Sequence, residues 1–334
     1  MTNMLVPPTA NSRAKFSDSF GQRSLLTVDT EEEFDWNKPF SANEHGLEHV
    51  SQLQLFQKFC ENLNVSPVYL VDWPITQSPM ACEILSDAIR RGKAEIGIQL
   101  HPWVNPPHDE EVTEQNSYAG NLPAALEREK FIRLRDAIIQ NFGAEPMIYR
   151  AGRYGLGPQT QQLLADTGTA VDTSVRSNFD YSKFGGPNYS RHPLHPYWTG
   201  PDAQVLELPV TTVFWGMLRR QGPMLQSVLD QASPLRGAFS KFGLLERIAL
   251  TPEGVTAQEA LRGIDIALDD ELPLLVLSFH SPSLAPGHTP YVKDKAGVDR
   301  LYNWFRDIYG YLEQRGVRPT NVREIMQNAV LPTD

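Results

Sequence analysis

Short apolar runs rich in β-branched residues alternate along the chain with longer segments of helical period. The runs are SLLTV (24–28), SPVYLV (66–71), AEIGIQL (94–100), PMIYR (146–150), GTAVD (168–172), QVLELPV (204–210) and LPLLVLSF (272–279). Between them, apolar spacing predicts helices near residues 47–63, 79–92, 122–141, 158–167, 256–270 and 294–315. Pro79 and Pro158 stand where a first helical turn accepts proline. This alternation marks an α/β fold with a mostly parallel sheet and helices outside it.

Residues 176–203 and 211–250 fit the pattern poorly, being rich in Pro, Gly, Tyr and Trp, and are expected to be long insertions serving as lids or substrate loops. The first 20 residues read as an N-terminal tail and residues 21–330 as one domain, with no internal repeat. Of the 334 residues 41% are hydrophobic and 21% charged, a balance that builds a sizeable globular core. Thirty basic against forty acidic residues give a net charge of -10 without any Lys/Arg cluster, so neither nucleic acid nor an anionic membrane is an expected partner. Cys60 and Cys82 fall in helical stretches and are expected to be packed free thiols. The N-terminus has no apolar leader and no run of 18 apolar residues occurs, which points to the cytoplasm.

Each of six polar residues directly follows an apolar run: Asp29, Asp72, His101, Arg150, Asp172 and His280. In a barrel of parallel strands the C-terminal ends face one mouth, where these side chains can converge. Taken alone, Asp72 or Asp172 serves as well to cap a helix or anchor a loop. His280 is less easily dismissed, because a histidine closing a long apolar strand needs a partner or a task. The first strand runs into TVDTEEEFDW, where an extended backbone points Asp29 and Glu31 the same way and lets them share a cation. Glu32 and Glu33 are expected to be solvated. Trp36, Trp103, Tyr154 and Trp215 follow proposed strands and suit the flat apolar faces of sugars. His45, His49 and His288 carry no usable signal. No G-x-S-x-G elbow occurs, and no G-x-G-x-x-G follows the first strand.

The order of four stretches, TVDTEEEFDW, EIGIQLHPWVNPP, YRAGRYG and LSFHSPSLAPG, resembles the polysaccharide deacetylase family, the NodB-homology group of carbohydrate esterase family 4, and within it the WalW-like deacetylases. The likeness spans about residues 24–325. It implies a deformed (β/α) barrel of about seven parallel strands that removes an N- or O-linked acetyl group from a sugar or glycan, assisted by one divalent metal, most simply zinc. Carried over by motif, Asp29 is the general base, Glu31 a metal ligand, His280 the general acid and Arg150 the forked partner that orients the base. Asp172 is placed to keep His280 charged, and Tyr154 with the backbone of 101–103 to meet the oxyanion. The second motif departs from the family: Gln99 stands where its first histidine is expected, with His101 two residues on and on the same strand face. An amide oxygen is a poorer zinc ligand than imidazole, so His101 and Asp72 are the expected replacements, ahead of His108, His192 and His195. Two alternatives stay open: a catalytically silent glycan-binding protein, and a metal-independent amide hydrolase.

Overall fold

The computed structural model describes residues 3–332 apart from 37, 201, 223 and 226–242. Each of the seven apolar runs forms a strand: β1 Arg23–Thr30, β2 Val68–Val71, β3 Glu95–Leu100, β4 Ile148–Ala151, β5 Val171–Asp172, β6 Val205–Glu207 and β7 Leu274–His280. They lie parallel in the order β7-β1-β2-β3-β4-β5-β6. The curled sheet is joined across its seam by the chain that leaves β6: Thr211 N–H donates to the Val276 carbonyl at 3.2 Å, and Ser278 N–H to that of Leu250 at 3.2 Å. A deformed parallel (β/α) barrel results.

Strand alternation sorts the side chains into two apolar layers. On β1 and β7, Leu26, Val28, Leu275, Leu277 and Phe279 join the outer core beneath the helices. The opposite parity, Leu25, Leu274 and Val276, joins Val68, Leu70, Ile148, Val171 and Leu206 inside the barrel, with Val322 and Ile325 in the same cluster. Continuing the inner parity upward along β1 leads to Thr27 and then Asp29. The surrounding helices are α1 Leu53–Asn62, α2 Pro79–Arg90, α3 Ala124–Phe142, α4 Thr160–Thr167, α5 Ala257–Asp269 and α6 Lys295–Gln314. Ser78 caps α2, Asp294 caps α6, and Thr256 with Glu259 forms a capping box on α5.

The segment expected to be a tail is tied in: Met4 is buried, and Lys15–Phe16 pairs with Ala329–Val330. The region 211–250, part of which lies outside the described residues, is more regular than its composition suggests. Thr212–Trp215 and Glu246–Ala249 form an antiparallel hairpin pair. Cys60 is a buried free thiol and Cys82 a half-buried one. Among the described residues no helix is long and apolar enough to cross a membrane.

Inside the barrel, a Cβ added to Gly97 would stand 2.5 Å from Leu70 Cδ2 and 2.8 Å from the Ile148 carbonyl. Gly310, on α6, has nothing within 4 Å. Urea denaturation of Gly97→Ala is expected to show a loss of about 1–3 kcal/mol from overpacking, whereas Gly310→Ala should gain about 0.5–1 kcal/mol from helix entropy. Equal stabilities would refute this account of barrel packing.

Candidate active site

Register brings the strand-end residues together. His280 is the pairing partner of Asp29 across β7 and β1, and Gln99 that of Arg150 across β3 and β4. With Glu31 and His101 they line a cavity of about 400 Å³ at the C-terminal mouth of the barrel.

Arg150 is buried and spends all three nitrogens inward. Nη1 donates to Asp29 Oδ1 and, at 2.8 Å, to Ser278 Oγ. Nη2 reaches Thr27 Oγ1 at 3.0 Å and Thr173 Oγ1 at 3.3 Å, and Nε donates to the Thr173 carbonyl at 3.0 Å. The expected fork onto Asp29 is therefore a single contact, because hydroxyls on neighbouring strands take the remaining donors.

His280 faces Asp29, with Nε2 3.7 Å from Oδ2. Its other nitrogen, Nδ1, lies 2.6 Å from Glu253 Oε2. Glu253 also accepts from the His280 backbone N–H at 3.3 Å and from Ser283 Oγ at 2.5 Å. Burial alone would lower the imidazole's pKa, but the charges of Glu253, Glu31 and Asp29 outweigh it and raise it to about 10. The ring is thus an imidazolium at neutral pH.

On the other side of Asp29, burial holds the His101 imidazole down to about 4, hence neutral. Its Nδ1 is 2.9 Å from Glu32 Oε2, which leaves Nε2 aimed at Glu31 Oε2, 3.5 Å away. A Cβ on Gly152 would lie 2.4 Å from the His101 ring, so only glycine lets the ring sit there. Gln99 Oε1 is buried with no hydrogen-bond partner among the described residues. Burial, with Asp29, Glu32 and Asp72 nearby, pushes the Glu31 carboxyl well up. Imidazole nitrogen, amide oxygen and carboxylate are ligand types that a divalent cation takes, and among the described residues Asp29, Glu31 and His280, and Glu32, Asp72 and His101, each bring three ligand atoms within 4.8 Å of one another.

Several expectations are corrected. Asp172 does not meet His280: strand parity turns Val171 into the barrel and Asp172 out of it, onto Ser174 at 2.7 Å, and burial raises its pKa beside Glu207. Glu253 takes the role foreseen for it. Asp72 is buried, where Oδ1 caps the short helix Trp73–Thr76 through Ile75 N–H at 3.0 Å and Oδ2 accepts from Glu32 N–H at 2.7 Å, yet it stays 3.9 Å from His101 Nδ1 in a group with Glu32 that could hold a metal ion. Glu32 and Glu33 are buried, not solvated. Glu32 also accepts from Trp103 Nε1 at 2.8 Å, and Glu33 from the His49 backbone at 2.6 Å with its ring Nδ1 at 2.7 Å. His49 Nε2 in turn sits 2.8 Å from Ser281 Oγ, to which Glu31 N–H donates at 3.3 Å. His49 is thus a buried prop of the first motif, and His288 reaches Glu33 at 3.2 Å. His108 is exposed outside the cavity, while His192 and His195 border a separate cleft.

Trp36, Trp103 and Tyr154 line the cavity; Trp36 stands edge-on to His280 with ring centroids 5.4 Å apart. Burial raises the Tyr154 phenol, which keeps its proton as a donor. Trp215 does not reach the cavity and lies under the Arg262 guanidinium at 4.2 Å.

These features define a parallel α/β barrel with a carboxylate–imidazole pair, Asp29 and His280, at its mouth. No protein-family model and no curated protein matches the sequence. Among solved structures the chain is similar to the 4-alpha-glucanotransferase of Thermococcus litoralis, at a TM-score of 0.53 and 11% identity over 92% of this chain and 40% of the other. It is also similar to a Mycobacterium smegmatis protein assigned as a polysaccharide deacetylase, at a TM-score of 0.48 and 17% identity over 95% and 98% of the two chains. A family 4 acetyl xylan esterase of Clostridium thermocellum, solved with a cobalt ion, aligns at a TM-score of 0.42 and 12% identity over 92% and 91%. At 11% identity the likeness to the glucanotransferase is one of fold.

Glu253→Gln keeps a hydrogen-bonding group beside His280 and removes its nearest negative charge. A histidine raised to about 10 stays protonated through neutral pH and loses its proton as the pH climbs toward that value. In the variant, the His280 ring signals followed by NMR should titrate roughly one unit or more lower. An unmoved midpoint would refute the pairing.

Proposed function

We propose that the protein is a hydrolase of the polysaccharide deacetylase type, which removes an N- or O-linked acetyl group from a sugar or glycan intermediate. The observation that carries this reading is the pairing of Asp29 with His280 on adjacent strands, 3.7 Å apart, each held by its own buried partner, Arg150 or Glu253. One group is thereby placed to accept a proton while the other has one to give. The motif strings add support for the WalW-like subgroup.

In this reading Asp29 takes a proton from water as its oxygen bonds to the acetyl carbon. The Tyr154 hydroxyl is the donor for the carbonyl oxygen as charge develops there. His280 passes the Nε2 proton to the departing sugar nitrogen or oxygen as the bond to the acetyl carbon breaks, leaving acetate and the free amine or alcohol. Glu253 keeps the imidazole oriented through Nδ1 throughout. Glu31 and His101, with Gln99 beside them, are the residues that would hold a divalent ion, most simply zinc. When bound, such an ion supplies Lewis acidity toward the carbonyl and the water. Trp36 and Tyr291 offer the exposed apolar surface on which a pyranose ring stacks.

A silent glycan-binding protein is the reading that Gln99 favours, since its amide oxygen replaces an expected imidazole. Acetate release from N-acetylglucosamine oligomers and O-acetylated xylan separates the two. Asp29→Asn should lower kcat/KM by about 10²–10⁴-fold, and unchanged hydrolysis would sink the base assignment. By elemental mass spectrometry after zinc dialysis, the wild-type chain should retain about one equivalent, and Glu31→Ala and His101→Ala should each lose it. Equal retention in all three would remove Glu31 and His101 as ligands.

A further inference from the structure

The cavity wall carries a cation that the chemistry above does not use. Each of the other cationic side chains around the cavity has a carboxylate partner. Arg150 has Asp29, His280 has Glu253 at 2.6 Å, Arg153 has Glu114 at 3.3 Å and Lys38 has Asp35 at 3.9 Å. Among the described residues Arg176 has none. Among those residues its buried Nε has no hydrogen-bond partner, and its one polar contact is a long one, Nη1 to the Tyr181 hydroxyl at 3.4 Å. The guanidinium lies over the rings of Phe179, at 4.0 Å, and Tyr154, at 5.3 Å. Those faces attract the charge but take up none of its in-plane N–H groups. A half-buried guanidinium with idle donors is a costly arrangement unless an anion completes it, and its planar fork matches carboxylate and phosphate oxygens.

Its position relates it to the reacting centre. The Tyr154 ring is shared by two guanidinium groups, 5.8 Å from that of Arg150 and 5.3 Å from that of Arg176. An anion on Arg176 therefore sits one aromatic ring away from the Arg150–Asp29 pair, about a sugar's reach.

We propose that the substrate glycan carries an anionic oxygen group, a carboxylate or a phosphate, that docks on Arg176 while its acetyl group meets Asp29 and His280. The inference deepens the deacetylase reading and rests on it for the position of the acetyl group. Docking on Arg176 is testable by binding alone.

The test is calorimetry on the full chain bearing Asp29→Asn, with two matched pairs of probes. One pair is N-acetylglucosamine linked to glucuronic acid against N-acetylglucosamine linked to glucose. The other is N-acetylglucosamine 1-phosphate against N-acetylglucosamine. At low salt at least one charged probe should bind about tenfold or more tighter than its neutral match. The preference should shrink as ionic strength rises. Whichever pair shows it names carboxylate or phosphate as the source. Adding Arg176→Gln should bring the ratio to about one, and Arg176→Lys should keep part of it. Equal binding within both pairs, a preference that survives Arg176→Gln, or no binding by any probe would each overturn the proposal. Should the glutamine variant fail to fold, Arg176→Lys serves in its place, and a preference it leaves undiminished would overturn the proposal. A charge preference without acetate release from the wild-type chain would retain the anion site and remove the deacetylase reading. Acetate release with no charge preference would do the reverse.

Discussion

The site depends on one buried charge pair, Arg150 with Asp29. Taking a guanidinium and a carboxylate out of water costs several kcal/mol per ion, and their attraction repays it only when the remaining donors find acceptors. Arg150 meets that condition by reaching β1, β7 and the residue after β5 from its own place on β4. A side chain bonded at once to two neighbouring strands and to the residue after a third cannot be displaced without disturbing all of them. The same contacts that make its burial tolerable therefore fix the aspartate against the register of the barrel.

Around that pair the carboxylates divide their partners among themselves. Asp29 has Arg150, Glu32 has His101 and Trp103, Glu33 has His49 and His288, and Glu253 has His280. Glu31 alone has no side-chain hydrogen bond among the described residues, although its backbone is pinned by Ser281. Crowded acids repel one another unless protons or cations intervene. In this cluster every member but one is hydrogen-bonded through its carboxylate among the described residues, and the exception, with His101 Nε2 3.5 Å away, faces the cavity. That asymmetry, more than the number of acids, is what supports Glu31 in the proposed role of cation ligand.

Much of this was legible in the sequence because strand parity and strand order are properties of the pattern. Asp29, Gln99, His101, Arg150 and His280 follow apolar runs with inward parity, and the barrel brings them to one mouth. Where parity fails, so does the expectation: Asp172 follows Val171 by one place and faces outward. Asp72 has the inward parity of Leu70, but the chain turns there into a short helix whose first N–H groups claim its carboxyl. Glu32 and Glu33 look solvated in a run of acids, and only the distant partners His101, Trp103 and His49 make their burial tolerable. Glu253 was hidden for a different reason. The strand before it, Glu246–Ala249, lies in a stretch whose composition suggests an irregular insertion, so its position a few residues past a strand end could not be seen.

The seam of the barrel has a mechanical consequence. β7 and β1 run in register over seven residue pairs from Leu274–Arg23 to His280–Asp29, whereas the far edge of β7 is held by the few bonds from Thr211 and Leu250. Asp29 thus stands on the stiff side of the ring and Glu253 comes from the compliant side, with His280 on the strand between them. Thermal breathing of such a ring concentrates at its least-bonded joint. The spacing of Asp29 and His280 is thus set by the better-bonded joint, while the wall that carries Leu250, Thr251 and Glu253 hangs on the weaker one.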